Sequence, residues 1–399
     1  PAGTGTGTSP TSPGGVDPDS AGNPGTGGTI RTGSAGSAGS TGSTGSTTPG
    51  TSTAPAATPA PAAPTAYRDR VGFASHLVWL DARTMESYMR LAVSSGMTWF
   101  REDFAWSVLQ PSRNSFDWNQ TDLLMTNAAR LGASVLPSVG YSPAWANGGH
   151  SDDKYPPTNP QDYANFVVEV ANRYGPNGAF WRLHPELTPA PITAIELWNE
   201  PWLWAFWKPQ PNAADYNKLV RRTAETLKAV RTDVKILVAA DWNEGRTDGA
   251  PTEGTWFPRL LANDTALYQG ALVDAYTVHL YCEGRSPADT TTKQLWRYDR
   301  VFLSRNAAAA KGAVKPFWTT ELGWSTNGDV DEATQASYMR SALKIAVESW
   351  GPSVVERSFI YTLERPHNGD RVGAYNMIRD DGSFKPAWAA VSDLILNGS

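Results

Sequence analysis

From residue 70 to its end the chain alternates a short apolar run with an amphipathic stretch eight times, and few architectures accept that many copies of one unit in one domain. The runs at 70–75, 97–101, 134–139, 192–198, 235–240, 275–280, 316–320 and 357–362 read as strands. Stretches at 81–95, 117–131, 160–174, 213–230, 258–268, 292–310, 332–349 and 386–396 read as the helices that follow them, the first two ended by Gly96 and Gly132. Eight strand-helix pairs predict a (β/α)8 TIM barrel. An open doubly wound sheet is the competing arrangement. Against it, the first strand runs on into Phe73-Ala74-Ser75-His76-Leu77-Val78, without a glycine-rich phosphate-binding turn.

The barrel pattern does not extend to the first part of the chain. Residues 1–66 are almost wholly Gly, Ser, Thr, Pro and Ala, with Asp17, Asp19 and Arg31 as the charges and no aromatic residue. Such a segment cannot bury enough apolar surface to offset the entropy of ordering it, so a disordered linker is expected at 1–66 and a folded catalytic domain at 67–399. A tether of this composition points to a secreted or cell-surface protein. The formal charge of the chain is -5, which offers nothing to nucleic acid or anionic lipid. Apolar runs such as 236–240 are far too short to span a membrane. Cys282 is the single cysteine, which excludes an intrachain disulfide, and no H-E-x-x-H or C-x-x-C spacing exists. No metal and no cofactor is expected, and a monomer is.

A (β/α)8 barrel draws its catalytic groups from the C-terminal ends of its strands. Those ends carry Arg101, Glu102 and Asp103 on the second, Tyr141 and Trp145 on the third, and Asn199 and Glu200 on the fourth. They carry Asp241 and Trp242 on the fifth, His279 and Tyr281 on the sixth, Glu321 and Trp324 on the seventh, and Glu364 and Arg365 on the eighth. Glu200 and Glu321 stand out, because each directly follows an apolar run and has tryptophan nearby. The fourth and seventh strands occupy roughly opposite walls, so the two carboxylates face each other across the mouth. Glycoside hydrolysis needs such a pair: one acid protonates the leaving oxygen while the other attacks the anomeric carbon or activates water. Arg101 and Tyr281 are placed to keep Glu321 ionised.

These residues carry a resemblance. Trp198-Asn199-Glu200-Pro201, His279-x-Tyr281 and Thr320-Glu321-Leu322-Gly323-Trp324 resemble the retaining glycoside hydrolases of clan A, most of all family 39 and its relatives that process bacterial exopolysaccharides. Trp99-Phe100-Arg101, the run 142–145 (S-P-A-W) and the run 380–386 (D-D-G-S-F-K-P) are further marks, and the similarity covers nearly all of 67–399. It implies Glu200 as general acid/base and Glu321 as nucleophile, with Asn199 on the sugar 2-hydroxyl and Tyr281 and Arg101 orienting Glu321. It also implies carboxylates about 5 to 5.5 Å apart and double displacement with retention. His279, Trp324, Trp145, His76 and Trp204 are further candidates for contact with an oligosaccharide or polysaccharide substrate. His279 has a hydrogen-bonded supporting role as its alternative, and His76 a capping or packing one. Many clan members carry a tryptophan near the end of the eighth strand; here the run is F-I-Y-T-L-E-R, and Tyr361 or another aromatic must serve.

Other residues have less specific readings. Glu196, inside the fourth strand, is expected in a buried ion pair. Glu102, Asp103 and Glu364 are sugar contacts or solvated loop positions. Cys282 is expected to be a small buried residue, since no base is near it in the pattern. His150, His184 and His367 are assigned no role. Trp202, Trp204, Phe206 and Trp207 crowd one loop as sugar-stacking faces or as a packed lid. The sequence thus reads as a secreted retaining glycoside hydrolase acting on a β-linked saccharide. The alternatives are a carbohydrate-binding barrel without turnover, and an exo-acting, xylosidase-like β-glycosidase.

Overall fold

The structure, a computed structural model, describes residues 66–244, 252–253, 255–364 and 374–398. The linker at 1–65, Arg365 and His367 lie outside the described residues. The barrel strands are β1 (Val71–Ala74), β2 (Trp99–Ala105), β3 (Ser134–Gly140), β4 (Ala194–Leu197), β5 (Lys235–Ala239), β6 (Ala275–His279), β7 (Phe317–Leu322) and β8 (Val355–Tyr361). They close into a barrel in sequence order, β8 returning to β1, and every neighbouring pair is parallel.

Local chemistry sets the helix limits. Asp81 caps Ala82–Ser94 by accepting from the Arg83 and Thr84 amides, and Asn159 caps Pro160–Tyr174, with the proline at the start where no N–H is needed. Gly132 ends Asn119–Leu131 in the left-handed conformation, φ 65°. Asn212 caps Ala213–Val230.

Three expected helices are interrupted. Asp264 breaks 258–268 into Trp256–Asn263 and Thr265–Gln269, capping the second at the Leu267 amide and pairing with Arg221. Of 292–310 only Val301–Ala310 is α-helical, because the extended backbone of Arg297 separates the single turns Gln294–Trp296 and Tyr298–Arg300. The helix at 332–349 is α-helical to Lys344 and widens to a π-helix over Ile345–Trp350. Trp106–Leu109, Ala179–Leu183 and a ribbon of Asn243–Glu244 with Thr252–Glu253 were not expected from the pattern.

Two apolar layers result. Val135, Ile195, Ile236, Val238 and Phe317 face the helices in the large core, while Trp99, Leu136, Leu237, Trp318, Phe359 and Tyr361 fill the barrel interior. Trp318 stacks on Phe359 and meets Trp99 edge-on, a packed floor rather than a pore. Among the described residues no helix is long and apolar enough to cross a membrane.

Candidate active site

Above that floor the inward positions turn polar. Arg101 is not after β2 but inside it, since the β2–β3 ladder continues to Ala105 and Gly140. Its Nε donates to Glu196 at 2.5 Å, Nη1 to Glu321 at 2.8 Å, and Nη2 to Asn199 Oδ1 at 2.7 Å and Ser138 Oγ at 3.2 Å. Burial works against the Arg101 charge, but the Glu196 and Glu321 carboxylates outweigh it and its pKa is raised. Glu196 thus forms the expected buried ion pair, completed by Thr320 Oγ1 at 2.9 Å.

Glu321 lies within β7, and a bulge aims it. Val278 pairs with Thr319 while the next residue, His279, pairs with Glu321, so β7 holds one extra residue there. Strict alternation would send Thr320 and Glu321 to opposite faces. With the bulge, Thr320 reaches Glu196 and Glu321 reaches Arg101. Tyr281 Oη donates to the other Glu321 oxygen at 2.6 Å. Burial and the adjacent Glu321 push the Tyr281 phenol well above its ordinary value, which keeps it a donor.

Glu200 stands on a constrained turn. Trp198 and Glu200 have φ of 70° and 39°, left-handed conformations that side-chain-bearing residues rarely adopt. The Trp198 amide donates to Val139 O at 2.9 Å and its indole to Phe206 O at 2.7 Å, while Glu200 O accepts from the Leu203 amide. His279 Nδ1 is 2.8 Å from Glu200 Oε1 and 3.3 Å from Glu321 Oε2. Its pKa is lowered, first by burial and then by the Arg101 charge, against Glu321, Glu196 and Asp241. Asp241 accepts from the His279 amide at 2.9 Å, and Arg300 bonds to Asp241, to the His279 carbonyl and to the Tyr281 carbonyl, which fixes the end of β6. Arg300 carried no signal in the sequence, being remote from any strand end.

One ligand atom each of Glu200, His279 and Glu321 lie within 4.8 Å of one another, spacing that a divalent cation could bridge. Arg101 and Tyr281 each donate to one Glu321 oxygen, and the guanidinium supplies positive charge beside that carboxylate.

The structure brings Glu200, Glu321, Asn199, Arg101, His279 and Tyr281 together, but it separates the aromatic candidates. Trp324 is 1% exposed, bonds to Arg285 O and packs on Tyr298 and Tyr338, so it has no face for a sugar. Trp145 packs edge-on against Trp106, with the Arg113 guanidinium 4.4 Å over its ring. Trp202, Phe206 and Trp207 are buried, a packed lid, whereas Trp204 is exposed with Lys208 Nζ 3.0 Å over one face. Tyr361 is buried and meets Tyr281, Tyr375 and His76 edge-on. His76 Nδ1 is 3.0 Å from Glu364 Oε1, whose Oε2 accepts from Thr362 at 2.7 Å. Glu102 and Glu364 are buried rather than solvated, because Ser75, the Val78 amide, His76 and Thr362 satisfy their oxygens. Cys282 is buried, which pushes its thiol up to about 12. His150 stacks on Tyr155, and His184 pairs with Glu186 at the surface.

A closed parallel barrel with this rim is similar in fold to the (β/α)8 barrels of clan A glycoside hydrolases. Among the solved structures it matches is a family 39 glycoside hydrolase from the gut symbiont Bacteroides cellulosilyticus WH2, 18% identical with a TM-score of 0.58 over 83% of this chain and 64% of that one. The chain therefore spans less than two thirds of that protein. A GH5_18 protein from Streptomyces cattleya in complex with GlcNAc matches at 16% identity and a TM-score of 0.56, over 82% of this chain and 80% of that one. An endo-β-1,4-mannanase from Thermotoga petrophila matches at 15% and 0.53, over 84% and 78%. No family model and no curated protein matches the chain in sequence. The resemblance drawn from the motifs holds at the level of fold.

Proposed function

We propose that this protein is a retaining glycoside hydrolase acting on β-linked oligosaccharides or polysaccharides, with Glu321 as nucleophile and Glu200 as general acid/base. The observation that carries the reading is the buried pair itself, with carboxylate oxygens within 4.8 Å of each other across the barrel mouth. A close pair of this kind supports direct attack by one carboxylate, as in retaining enzymes, whose carboxyl groups are about 5 to 5.5 Å apart.

The two glutamates have different surroundings, and the roles follow from that. Glu321 receives a guanidinium and a phenol, both donors that favour a carboxylate. Glu200 faces a neutral His279, whose Nδ1 can accept a hydrogen bond from a protonated carboxyl or, in the other tautomer, donate one to a carboxylate. In the first step a Glu321 oxygen bonds to the anomeric carbon as the bond from that carbon to the leaving oxygen breaks, and Glu200 transfers its proton to that oxygen. In the second, Glu200 takes a proton from water as the water oxygen attacks the same carbon and Glu321 departs. Asn199, held by Arg101, presents its amide N–H to the sugar beside the reacting carbon.

Glu321→Gln and Glu200→Gln are each expected to lower kcat on an aryl β-glycoside by about 100-fold or more while melting like the parent. Proton NMR of the first-formed product should show the β-anomer. Turnover surviving both substitutions, or an α-anomer, would overturn the mechanism. The linker composition supports a secreted or surface-tethered enzyme, which fractionation of the producing cells tests.

A further inference from the structure

Of seventeen tryptophans, Trp79 and Trp204 are the exposed ones, at 51% and 38%, and both lie on loops that follow barrel strands. Trp204 belongs to the loop after β4, on the side of Glu200 and therefore of the leaving group. Trp79 follows β1. Its indole Nε1 donates to Asp103 Oδ2 at 3.3 Å, and Asp103 has the same strand parity as Trp99 in the barrel interior and Arg101 on Glu321. Two residues beyond Arg101, Asp103 stands about 7 Å further up the inner wall at the mouth. The carboxylate thus ties an exposed indole to the rim of the barrel.

The same turn carries His76, whose carbonyl accepts from the Trp79 amide. The His76 ring is fixed at Nδ1 by Glu364 and lies edge-on to Tyr361, which lies edge-on to Tyr281, the donor to Glu321. A continuous line of contacts therefore runs from the nucleophile to the β1 turn, away from the Trp204 loop. Trp79 and His76 are each held by a carboxylate from another strand, Asp103 of β2 and Glu364 beyond β8, so the turn is organised before anything binds. An exposed, oriented indole and, on the same turn, an imidazole 22% exposed match the apolar face and hydroxyl edge of a pyranose.

We propose that the turn after β1 is a distal saccharide subsite on the retained side of the cleft, with Trp79 as its stacking face and His76 as its polar edge. The cleft then binds the interior of a chain, and cleavage is internal rather than from an end. The proposal rests on the hydrolase reading above.

The test uses β-1,4-linked hexaoses of xylose, mannose and glucose beside the matching aryl monoglycosides, with product sizes read by mass spectrometry. The parent protein should release oligosaccharides. Trp79→Ala should lower kcat/KM on the accepted hexaose about tenfold more than on the monoglycoside, mainly through KM, and Trp79→Phe should restore most of it. Equal losses on both substrates, no loss, or release of monosaccharide alone overturns the subsite and leaves the hydrolase reading standing. A parent protein that neither cleaves these substrates nor binds them, with binding followed by tryptophan fluorescence of Glu321→Gln, overturns the hydrolase reading and the subsite with it.

Discussion

Arg101 is the residue on which the interior charges converge, touching Glu196, Glu321, Asn199 and Ser138 through one guanidinium. A lysine could neutralise one carboxylate, but it lacks the planar fork that reaches four partners at fixed angles. A second buried group, Glu102, has the opposite character. Burial pushes its carboxyl up to about 8, with Glu364 adding to the effect and a hydrogen bond from Ser75 opposing it. Since the unfolded chain titrates near 4.5, the folded state holds this proton more tightly between those values. The stability it contributes is complete below about pH 4.5 and lost as pH rises through about 8. Urea denaturation at pH 5 and pH 8 should therefore show the parent losing stability relative to Glu102→Gln over that interval. Parallel pH dependence in the two proteins would contradict this assignment.

At the scale of the element, the loop after β4 divides its aromatic residues between two tasks. Trp207 is buried against Trp198 and Tyr216, and the Trp198 indole that it helps to hold sets the turn that presents Glu200. Trp207→Ala should cost about 3–5 kcal/mol of stability in thermal or denaturant unfolding. Trp204→Ala should stay within about 0.5 kcal/mol of the parent, as expected for an exposed side chain. Equal destabilisation by both would mean that the loop packs as one lid. The β7 bulge is the other decisive local device, because it allows adjacent Thr320 and Glu321 to reach the same polar cluster.

At the scale of the whole molecule, the barrel is continuous from β1 to its closure with β8, and the linker composition leaves it little to contribute to that core. A chain beginning at Ala66 should melt at the same temperature as the full chain and keep its activity, as measured by calorimetry and aryl-glycoside turnover. A large fall in melting temperature would show that 1–65 packs on the barrel.

The eightfold alternation by itself determined the barrel, and the barrel determined which strand ends to inspect. That was enough to reach Glu200, Glu321, Asn199, Arg101, His279 and Tyr281, because polar residues closing apolar runs are visible as pattern. What only the tertiary structure decided was where each aromatic face points and which buried charges meet. Trp324 and Trp204 look alike in sequence, yet one is sealed against Tyr298 and the other is open to solvent, because neighbours contributed by distant loops cover the first. Trp79 and Arg300 gave no signal for the same reason: their partners, Asp103 within β2 and Asp241 just after β5, come from distant parts of the chain. Periodicity records which side of an element is apolar, whereas a site is made by contacts between elements, and those are set by barrel closure and by the bulge at Glu321.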